Sequence, residues 1–176
     1  LYIRPLMYSE EGFVVAVPER TRFILSVFEE PLPSGKGLRA CLSSFRRRWT
    51  DMPPTDAKTA CLYPNVARAL REARGKSYGS AVMLDPQSDV AKLAPANIFL
   101  VKDGVVATPV CNGTFPKGIT RQRTMQLLRD DGLTIEERRI SYDELRAADE
   151  LFATGHYTII NPVTQIDDRA LVSGPV

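Results

Sequence analysis

Residues 52–70 constrain the fold of this chain most, because the sequence changes there from an irregular stretch to a helical pattern. Pro64 suits the first position of a helix, and apolar residues recur after it at helical spacing up to Gly75. Lys58 therefore lies just before a helix, among small residues that leave room for a ligand. Partial burial there would lower the pKa of its amine and favour attack on a carbonyl group, although an exposed lysine at a helix entry is the simpler interpretation.

The composition is that of a globular domain. The chain has 176 residues, of which 44% are hydrophobic and 25% charged, and this is enough to bury a core. Its formal net charge of +2 gives no general signal for nucleic acid or for a membrane surface. The short run Arg46, Arg47 and Arg48 is better explained as a solvated turn. We therefore predict neither a nucleic-acid partner nor a membrane partner.

The cysteines indicate a reducing compartment. Cys41, Cys61 and Cys111 are far apart and follow no CxxC or Cys/His spacing, so they predict neither a zinc site nor a disulfide framework. No apolar run is as long as a bilayer span, and the first residues lack the charged-then-apolar plan of a signal peptide. These observations predict a cytoplasmic protein without a bound metal.

Strand and helix patterns follow one another along the chain, with strands in the majority. Runs of β-branched and aromatic residues predict strands at residues 13–17, 22–29, 37–44, 80–85, 133–140, 151–154 and 158–166. Pro162 places the last of these at a sheet edge or a bulge. A turn at residues 103–104 predicts a hairpin between residues 97–101 and 105–108. Helices are predicted at residues 65–74, from Thr120 as the cap through residue 130, and up to residue 148 behind the capping box of Ser141 and Glu144.

Two glycine turns are candidate anion sites. Gly118 opens a helix, so free backbone amides, the Thr120 hydroxyl and the helix dipole can together hold a phosphate, although many helices begin in this way. The turn at residues 154–158 can also offer amides to an anion, and it contains His156, the one histidine of the sequence. A lone histidine in a turn is more often structural or exposed than catalytic.

A lysine able to form a Schiff base, a nearby tyrosine and a phosphate cradle are the parts that a pyridoxal phosphate (PLP) enzyme needs. With these parts in order, the chain resembles the fold-type IV PLP-dependent aminotransferases, most closely the branched-chain amino acid aminotransferases. Five matching segments carry the resemblance: residues 2–5; residues 54–58 with Tyr63; residues 97–99, 101–104 and 108–109; residues 118–121; and residues 148–152, 154–155 and 162–163.

The resemblance implies a fold and a domain plan. The fold would be α/β (α+β), with a mixed, mostly antiparallel sheet that forms a pseudo-barrel and carries its helices outside. Residues 1–176 would be a single cofactor-binding large domain. The N-terminal small domain and the terminal helix of the family would then lie outside this chain, and the full-length protein would be a homodimer.

The resemblance also implies roles for individual residues. Lys58 would form the Schiff base and shuttle the proton, and Tyr63 would hydrogen-bond the phenolate oxygen of the cofactor. Ile119 and Thr120 would bind the phosphate. The cofactor-binding set would be completed by Lys92, His156 and Tyr157, and the substrate would meet Tyr157 and Thr158.

The implied reaction is the transfer of an amino group from a branched-chain or other hydrophobic amino acid to 2-oxoglutarate, through a Lys58 Schiff base. Related alternatives are an aminodeoxychorismate lyase and a D-amino acid aminotransferase. A third alternative is a catalytically impaired or non-catalytic remnant of the same family.

Lys92 motivates the remnant alternative. The family has a glutamate at this position that pairs with the pyridine nitrogen of the cofactor, and a cation there would weaken the ring as an electron acceptor. Two interpretations leave catalysis intact: either the Lys92 side chain turns to solvent, or Asp85 or Asp89 compensates its charge.

Overall fold

The computed structural model describes residues 1–31, 36–55, 57–155, 159–172 and 174. The chain divides into two compact units, Leu1–Leu32 and Pro33–Val176. The first unit is an antiparallel hairpin of β1 (Tyr2–Ser9) and β2 (Thr21–Phe28), paired from Tyr2 opposite Phe28 to Ser9 opposite Thr21. On one face of this hairpin three successive cross-strand pairs are apolar: Ile3 with Val27, Pro5 with Leu25, and Met7 with Phe23.

The prediction of a strand at residues 13–17 is wrong. These residues lie in the loop between β1 and β2, and a short 3-10 helix, Pro18–Arg20, follows them. The loop is closed by local hydrogen bonds: the amide of Val17 donates to the carbonyl of Glu11, and the Ser9 hydroxyl donates to the carbonyls of Glu11 and Val17. Because these backbone groups are used within the loop, they are not free to form a strand ladder.

The second unit is built on one large sheet. Its strands are β3 (Leu38–Leu42), β4 (Ser80–Leu84), β5 (Val90–Leu93), β6 (Asn97–Lys102), β7 (Val105–Pro109), β8 (Ile135–Arg138), β9 (Glu150–Gly155), β10 (Ile159–Ile166) and β11 (Arg169–Ala170). The order is β5-β4-β3-β10-β9-β6-β7-β8, and β11 pairs with β10. The pairs β3/β4, β3/β10 and β7/β8 are parallel and the others antiparallel. The prediction of a mixed, mostly antiparallel sheet is confirmed.

The sheet curls until its ends approach each other. The amide of Val90, which begins the edge strand β5, donates to the carbonyl of Ile140, which follows β8 near the other edge (2.8 Å). The side chains inside the curl form an apolar core that includes Val82, Ile98 and Ala153. The curl therefore has an inner face filled with apolar side chains and an outer face that must be covered separately.

The helices α1 (Tyr63–Gly75) and α2 (Ile119–Asp130) cover the outer face. Ala69 and Ala73 of α1 pack against Met83, and Met125 of α2 packs in a cluster with Phe99. A third helix, α3 (Tyr142–Arg146), begins behind Ser141, whose hydroxyl oxygen accepts a hydrogen bond from the amide of Glu144 (3.1 Å). The capping box predicted there is confirmed.

Pro162 is not at a sheet edge. The first half of β10 pairs with β9 as far as Pro162 opposite Phe152, and the second half pairs with β3 and β11. The register shifts between Val163 and Gln165. The bulge alternative is the one that the structure supports, since a strand that changes partners in mid-course tolerates a missing amide donor at the point of change.

Candidate active site

Lys58 lies on a segment that leads into α1. The Thr55 hydroxyl donates to the carbonyl of Gly113, which fastens this segment to the stretch before α2. The side chain of Lys58 is exposed, and a short 3-10 turn, Ala60–Leu62, separates it from α1. Tyr63, the first residue of α1, is 51% exposed. Both side chains are therefore accessible to a ligand on this side of the sheet.

Lys92 lies near Lys58 through the register of β5. It pairs with Met83 across the β4/β5 ladder, so it is on the face that α1 covers. Its side chain is partly buried. Burial, followed by the positive charges of Arg47 and Lys58, lowers the pKa of Lys92 to about 8. Arg47 and Lys58 thus add positive charge to the surroundings of Lys92.

Arg47 is the buried member of this group. It is 7% exposed, and its Nε donates to the carbonyl of Thr114 (3.0 Å). Burial lowers the pKa of its guanidinium from the ordinary value, but an arginine remains charged. Arg47 is therefore a permanent positive charge inside the fold, and the interpretation of residues 46–48 as a solvated turn does not hold for it.

Neither aspartate considered from the sequence compensates Lys92. The Asp85 carboxylate accepts from the amides of Gln87 (2.8 Å) and Asp89 (3.0 Å) and from the side-chain amide of Asn112 (2.6 Å). The Asp89 carboxylate pairs with Arg139 at 2.5 Å. The Lys92 side chain does not turn fully to solvent either, because it is partly buried on the face that α1 covers.

The start of α2 differs from the prediction in its cap. The helix begins at Ile119, the cap is Gly118, and no side chain caps it, so Thr120 lies inside the first turn. Ile119 is 85% exposed. The first amides of a helix have no partner within it, and here no hydroxyl satisfies them from the cap position. The start of α2 therefore presents backbone donors, together with the positive end of the helix dipole.

Asn97 and Thr154 form the wall beside the start of α2. A Cβ atom on Gly118 would lie 2.3 Å from the Asn97 side-chain oxygen, so glycine is what permits this approach. Asn97 is directly opposite Thr154 in the β6/β9 pair, and both side chains thus project from the same face. Thr154 is fully buried, and its hydroxyl has no hydrogen-bond partner among the described residues.

These contacts bring most of the predicted residues to the outer face of the sheet. Lys58 and Lys92 interact electrostatically, and residues 94–96 lead from β5 directly to Asn97 beside Gly118. His156, Tyr157 and Thr158 lie outside the described residues. Sequence reasoning quoted Asn97 and Thr154 only as parts of motifs. A polar residue next to a run of apolar residues, as in residues 97–101 and 151–154, is the signal that could have indicated them.

Other kinds of site receive no support from the described ranges. Among the described residues, no group of three or more His, Cys, Asp or Glu side chains could hold a metal ion. Cys41, Cys61 and Cys111 are free cysteines. None of the helices in the part of the chain that the structure describes is long and apolar enough to cross a bilayer. An accessible lysine, two further cations and an uncapped helix start are features that would suit an anionic ligand with a reactive carbonyl group.

Comparison with known proteins identifies the family. Residues 1–166 match the model of the amino-transferase class IV family, and the chain belongs to this family. It is 35% identical to a probable branched-chain-amino-acid aminotransferase of Aquifex aeolicus, over 100% of this chain and 58% of that protein. It is likewise 35% identical to the branched-chain-amino-acid aminotransferase of Pseudomonas aeruginosa, over 98% of this chain and 58% of that protein.

Solved structures agree with this assignment. An aminotransferase from Brucella abortus bound to the cofactor PLP is 41% identical and superposes with a TM-score of 0.95, over 98% of this chain and 63% of that one. A branched-chain aminotransferase from Thermoproteus uzoniensis with norvaline is 34% identical, with a TM-score of 0.89 over 99% of this chain and 60% of that one. The chain thus spans about three fifths of the length of each of these four proteins.

Proposed function

We propose that residues 1–176 are the cofactor-binding large domain of a PLP-dependent aminotransferase. In this proposal a branched-chain or other hydrophobic amino acid donates its amino group and 2-oxoglutarate accepts it. The observation that carries the proposal is the accessible Lys58 beside Lys92, on the sheet face where α2 begins without a side-chain cap. The names of the relatives support the substrate class.

The residues present fit the cofactor. Its phosphate is a dianion, and the start of α2 offers backbone amides and the positive end of a helix dipole. The buried Thr154 hydroxyl, which lacks a partner among the described residues, lies on the same face. When bound, PLP supplies an aldehyde that accepts an amine and a ring that accepts electrons from the substrate α-carbon.

We assign roles to the side chains accordingly. Lys58 attaches the cofactor through its amine and moves the proton at the substrate α-carbon, and its exposure supports both roles. Tyr63, at the first position of α1, donates a hydrogen bond to the cofactor oxygen. Ile119 and Thr120 hold the phosphate through their amides. Lys92 contacts the cofactor from β5.

The remaining assignments rest on the resemblance. His156 and Tyr157 would complete the cofactor site, and Tyr157 and Thr158 would meet the substrate; all three follow Gly155 at the end of β9. We further propose that the full-length protein is a cytoplasmic homodimer.

Covalent trapping tests the central assignment. We expect incubation with PLP and borohydride reduction to leave a pyridoxyl group on the Lys58 peptide, detected by mass mapping. Lys58→Arg keeps the charge but removes the reactive amine, and it should abolish this adduct. The matched control Lys76→Arg, at a lysine paired with Glu72, should leave the adduct unchanged. An adduct that persists on another peptide in Lys58→Arg would show that Lys58 is not the attachment site.

The second candidate is a cofactor-binding relative with impaired amino transfer. It is favoured by Arg47 and Lys58, the two charged groups that act on Lys92, because both are positive. Addition of leucine to the PLP-loaded protein distinguishes the candidates. An aminotransferase converts the bound aldehyde to the amine form and releases the 2-oxo acid, whereas an impaired relative leaves the cofactor absorption unchanged.

A further inference from the structure

Lys58 lies on a small loop that is anchored just before it. The Thr59 hydroxyl donates to the carbonyl of Pro54 (3.3 Å), and this bond closes the loop around Lys58. The anchor is Thr55, which is 4% exposed and whose hydroxyl donates to the carbonyl of Gly113. The position of the loop before Lys58 therefore depends on where the Gly113 carbonyl lies.

That carbonyl belongs to a rigid turn at residues 112–114. The side-chain oxygen of Asn112 accepts from the amide (3.2 Å) and from the hydroxyl (2.7 Å) of Thr114. Gly113 has a φ of 87°, and a Cβ atom on it would lie 2.6 Å from a methyl carbon of Thr50, so the turn requires glycine. The conformation of the turn is thus set locally, and its position relative to the sheet is set by other bonds.

Asp85 supplies one of these bonds from inside the fold. It follows β4 directly and is 1% exposed. Its Oδ2 accepts from the side-chain nitrogen of Asn112 at 2.6 Å, and its Oδ1 accepts from the amides of Gln87 (2.8 Å) and Asp89 (3.0 Å). Because backbone amides hold one oxygen of this carboxylate, the other oxygen is a fixed acceptor for the turn.

We propose that Asp85 is a positioning residue for Lys58. It fixes the turn at residues 112–114, the turn anchors Thr55, and the anchored loop holds the Lys58 amine where the cofactor attaches. The inference rests on the role given to Lys58 under the proposed function. The competing support is Arg47, whose Nε donates to the last carbonyl of the turn (3.0 Å).

Asp85→Asn breaks one bond of this path. An asparagine has one acceptor oxygen, so it cannot serve the two backbone amides and Asn112 at the same time. We expect the rate at which PLP forms its borohydride-trapped adduct on Lys58 to fall about tenfold or more, because displacement of a reacting group is costly. Thr55→Val removes the donor at the other end of the path and should slow the adduct likewise. Thr55→Ser keeps the hydroxyl and should keep the wild-type rate.

A double variant inverts the bond and tests the path directly. In Asp85→Asn combined with Asn112→Asp, the amide at position 85 donates to the carboxylate at position 112, and the total charge is unchanged. The oxygen that accepts from Thr114 is also kept. We expect this variant to recover the wild-type adduct rate. Without PLP, hydrogen exchange of the amides at residues 59–62 should be faster in Asp85→Asn and normal in the double variant.

The control separates position from stability. Ile166→Ala removes buried methyl groups from the inner core and should leave the adduct rate unchanged, although it lowers stability. Urea unfolding of every variant gives the stability against which each rate is compared. A loss of rate in Ile166→Ala equal to that in Asp85→Asn would overturn the proposal, because the rate would then follow global stability.

Two further results would also overturn it. A wild-type rate in Asp85→Asn would show that Arg47 holds the turn by itself. A slow rate that the double variant fails to restore would show that the bond between Asp85 and Asn112 does not position Lys58. Failure of the proposed function looks different. Wild-type protein without an adduct on Lys58 would refute the attachment site and this inference together, whereas the three results above leave the attachment site intact.

Discussion

At the scale of single residues, the site contains a charge that the fold makes costly. The pKa of Lys92 in the folded protein, about 8, lies below its ordinary value of 10.5, so the unfolded chain binds the proton more tightly. Protonated Lys92 therefore destabilises the native state below about pH 8, and this cost disappears as the pH rises toward 10.5. Lys92 illustrates how a residue can be retained at a site while opposing the fold.

Lys92→Met should stabilise the protein at neutral pH. We expect a gain of about 1–3 kcal/mol near pH 7 in urea unfolding. The gain should shrink as the pH rises from about 8 toward 10.5, because wild-type Lys92 is then neutral as well. Lys102→Met, at an exposed residue paired with Asp149, provides the comparison and should give no such gain. A gain independent of pH would mean that charge is not its cause.

Gly118 is the second residue that decides the site, because it has no side chain. Gly118→Ala would place a Cβ atom 2.3 Å from the Asn97 oxygen, so Asn97 or the start of α2 must move. We expect the free energy of unfolding to fall by about 1–3 kcal/mol and phosphate to bind more weakly. A thermal-shift titration with phosphate measures both effects. In the control Gly75→Ala, at the end of α1 with no atom within 4 Å, we expect a gain of about 0.5–1 kcal/mol. Equal effects of the two changes would contradict this account.

At the scale of elements, Arg121 anchors α2 to the sheet. It is fully buried, and its Nη2 donates to the carbonyl of Pro109 in β7 (3.0 Å) and to the carboxylate of Glu137 in β8 (2.8 Å). Its Nε donates weakly to the Thr108 hydroxyl at 3.4 Å. Because Arg121 lies in the first turn of α2, these bonds fix the end of the helix that presents the amides.

Arg121→Met should therefore loosen the whole helix. We expect a loss of about 3 kcal/mol in the free energy of unfolding, since the carboxylate of Glu137 and the carbonyl of Pro109 lose a buried partner. The exposed neighbour on the same helix, Arg123→Met, should change stability by less than about 0.5 kcal/mol. Hydrogen exchange should show faster opening of the α2 amides in Arg121→Met only. Unchanged exchange rates would mean that packing around Met125, rather than Arg121, fixes α2.

At the scale of the molecule, the strand β10 joins the two halves of the curled sheet. It pairs with β9 through its first half and with β3 and β11 through its second half. Ile166, at its end, is fully buried in the inner core. A loss of packing at Ile166 would therefore weaken the region where β3, β10 and β11 meet.

Ile166→Ala should destabilise the second unit by about 2–5 kcal/mol, because it removes buried methyl groups and leaves a cavity. The control Val172→Ala, at a residue that is 82% exposed, should be neutral within about 0.5 kcal/mol. Calorimetry and urea unfolding measure both variants. A cost below about 1 kcal/mol for Ile166→Ala would mean that the core collapses around the missing side chain.

Much of the fold was predictable from local sequence. The Ser141 cap of α3 depends on residues a few positions apart, and so does the turn at Asp103 and Gly104, two residues with positive φ. The helix after Lys58 follows from the apolar spacing behind Pro64, and the structure extends it only by its first and last residues. Such features are readable because the partners of each hydrogen bond are neighbours in the chain.

Other features were decided by tertiary contacts alone. Gly118 rather than Thr120 caps α2, and the approach of Asn97 to Gly118 follows from where β6 lies in the sheet. The hydroxyl of Thr154 has no local partner, and the sheet rather than the sequence puts it on the same face as Asn97.

By itself, the sequence determined the order of the elements, the position of Lys58 before a helix, and the family resemblance. Only the tertiary structure decided the charge environment of Lys92, where Arg47 and Lys58 act on it while Asp85 and Asp89 are engaged elsewhere. The physical reason is range. Hydrogen bonds in caps and turns are set by nearby residues, whereas a pKa depends on burial and on charges that the folded sheet assembles from distant parts of the chain.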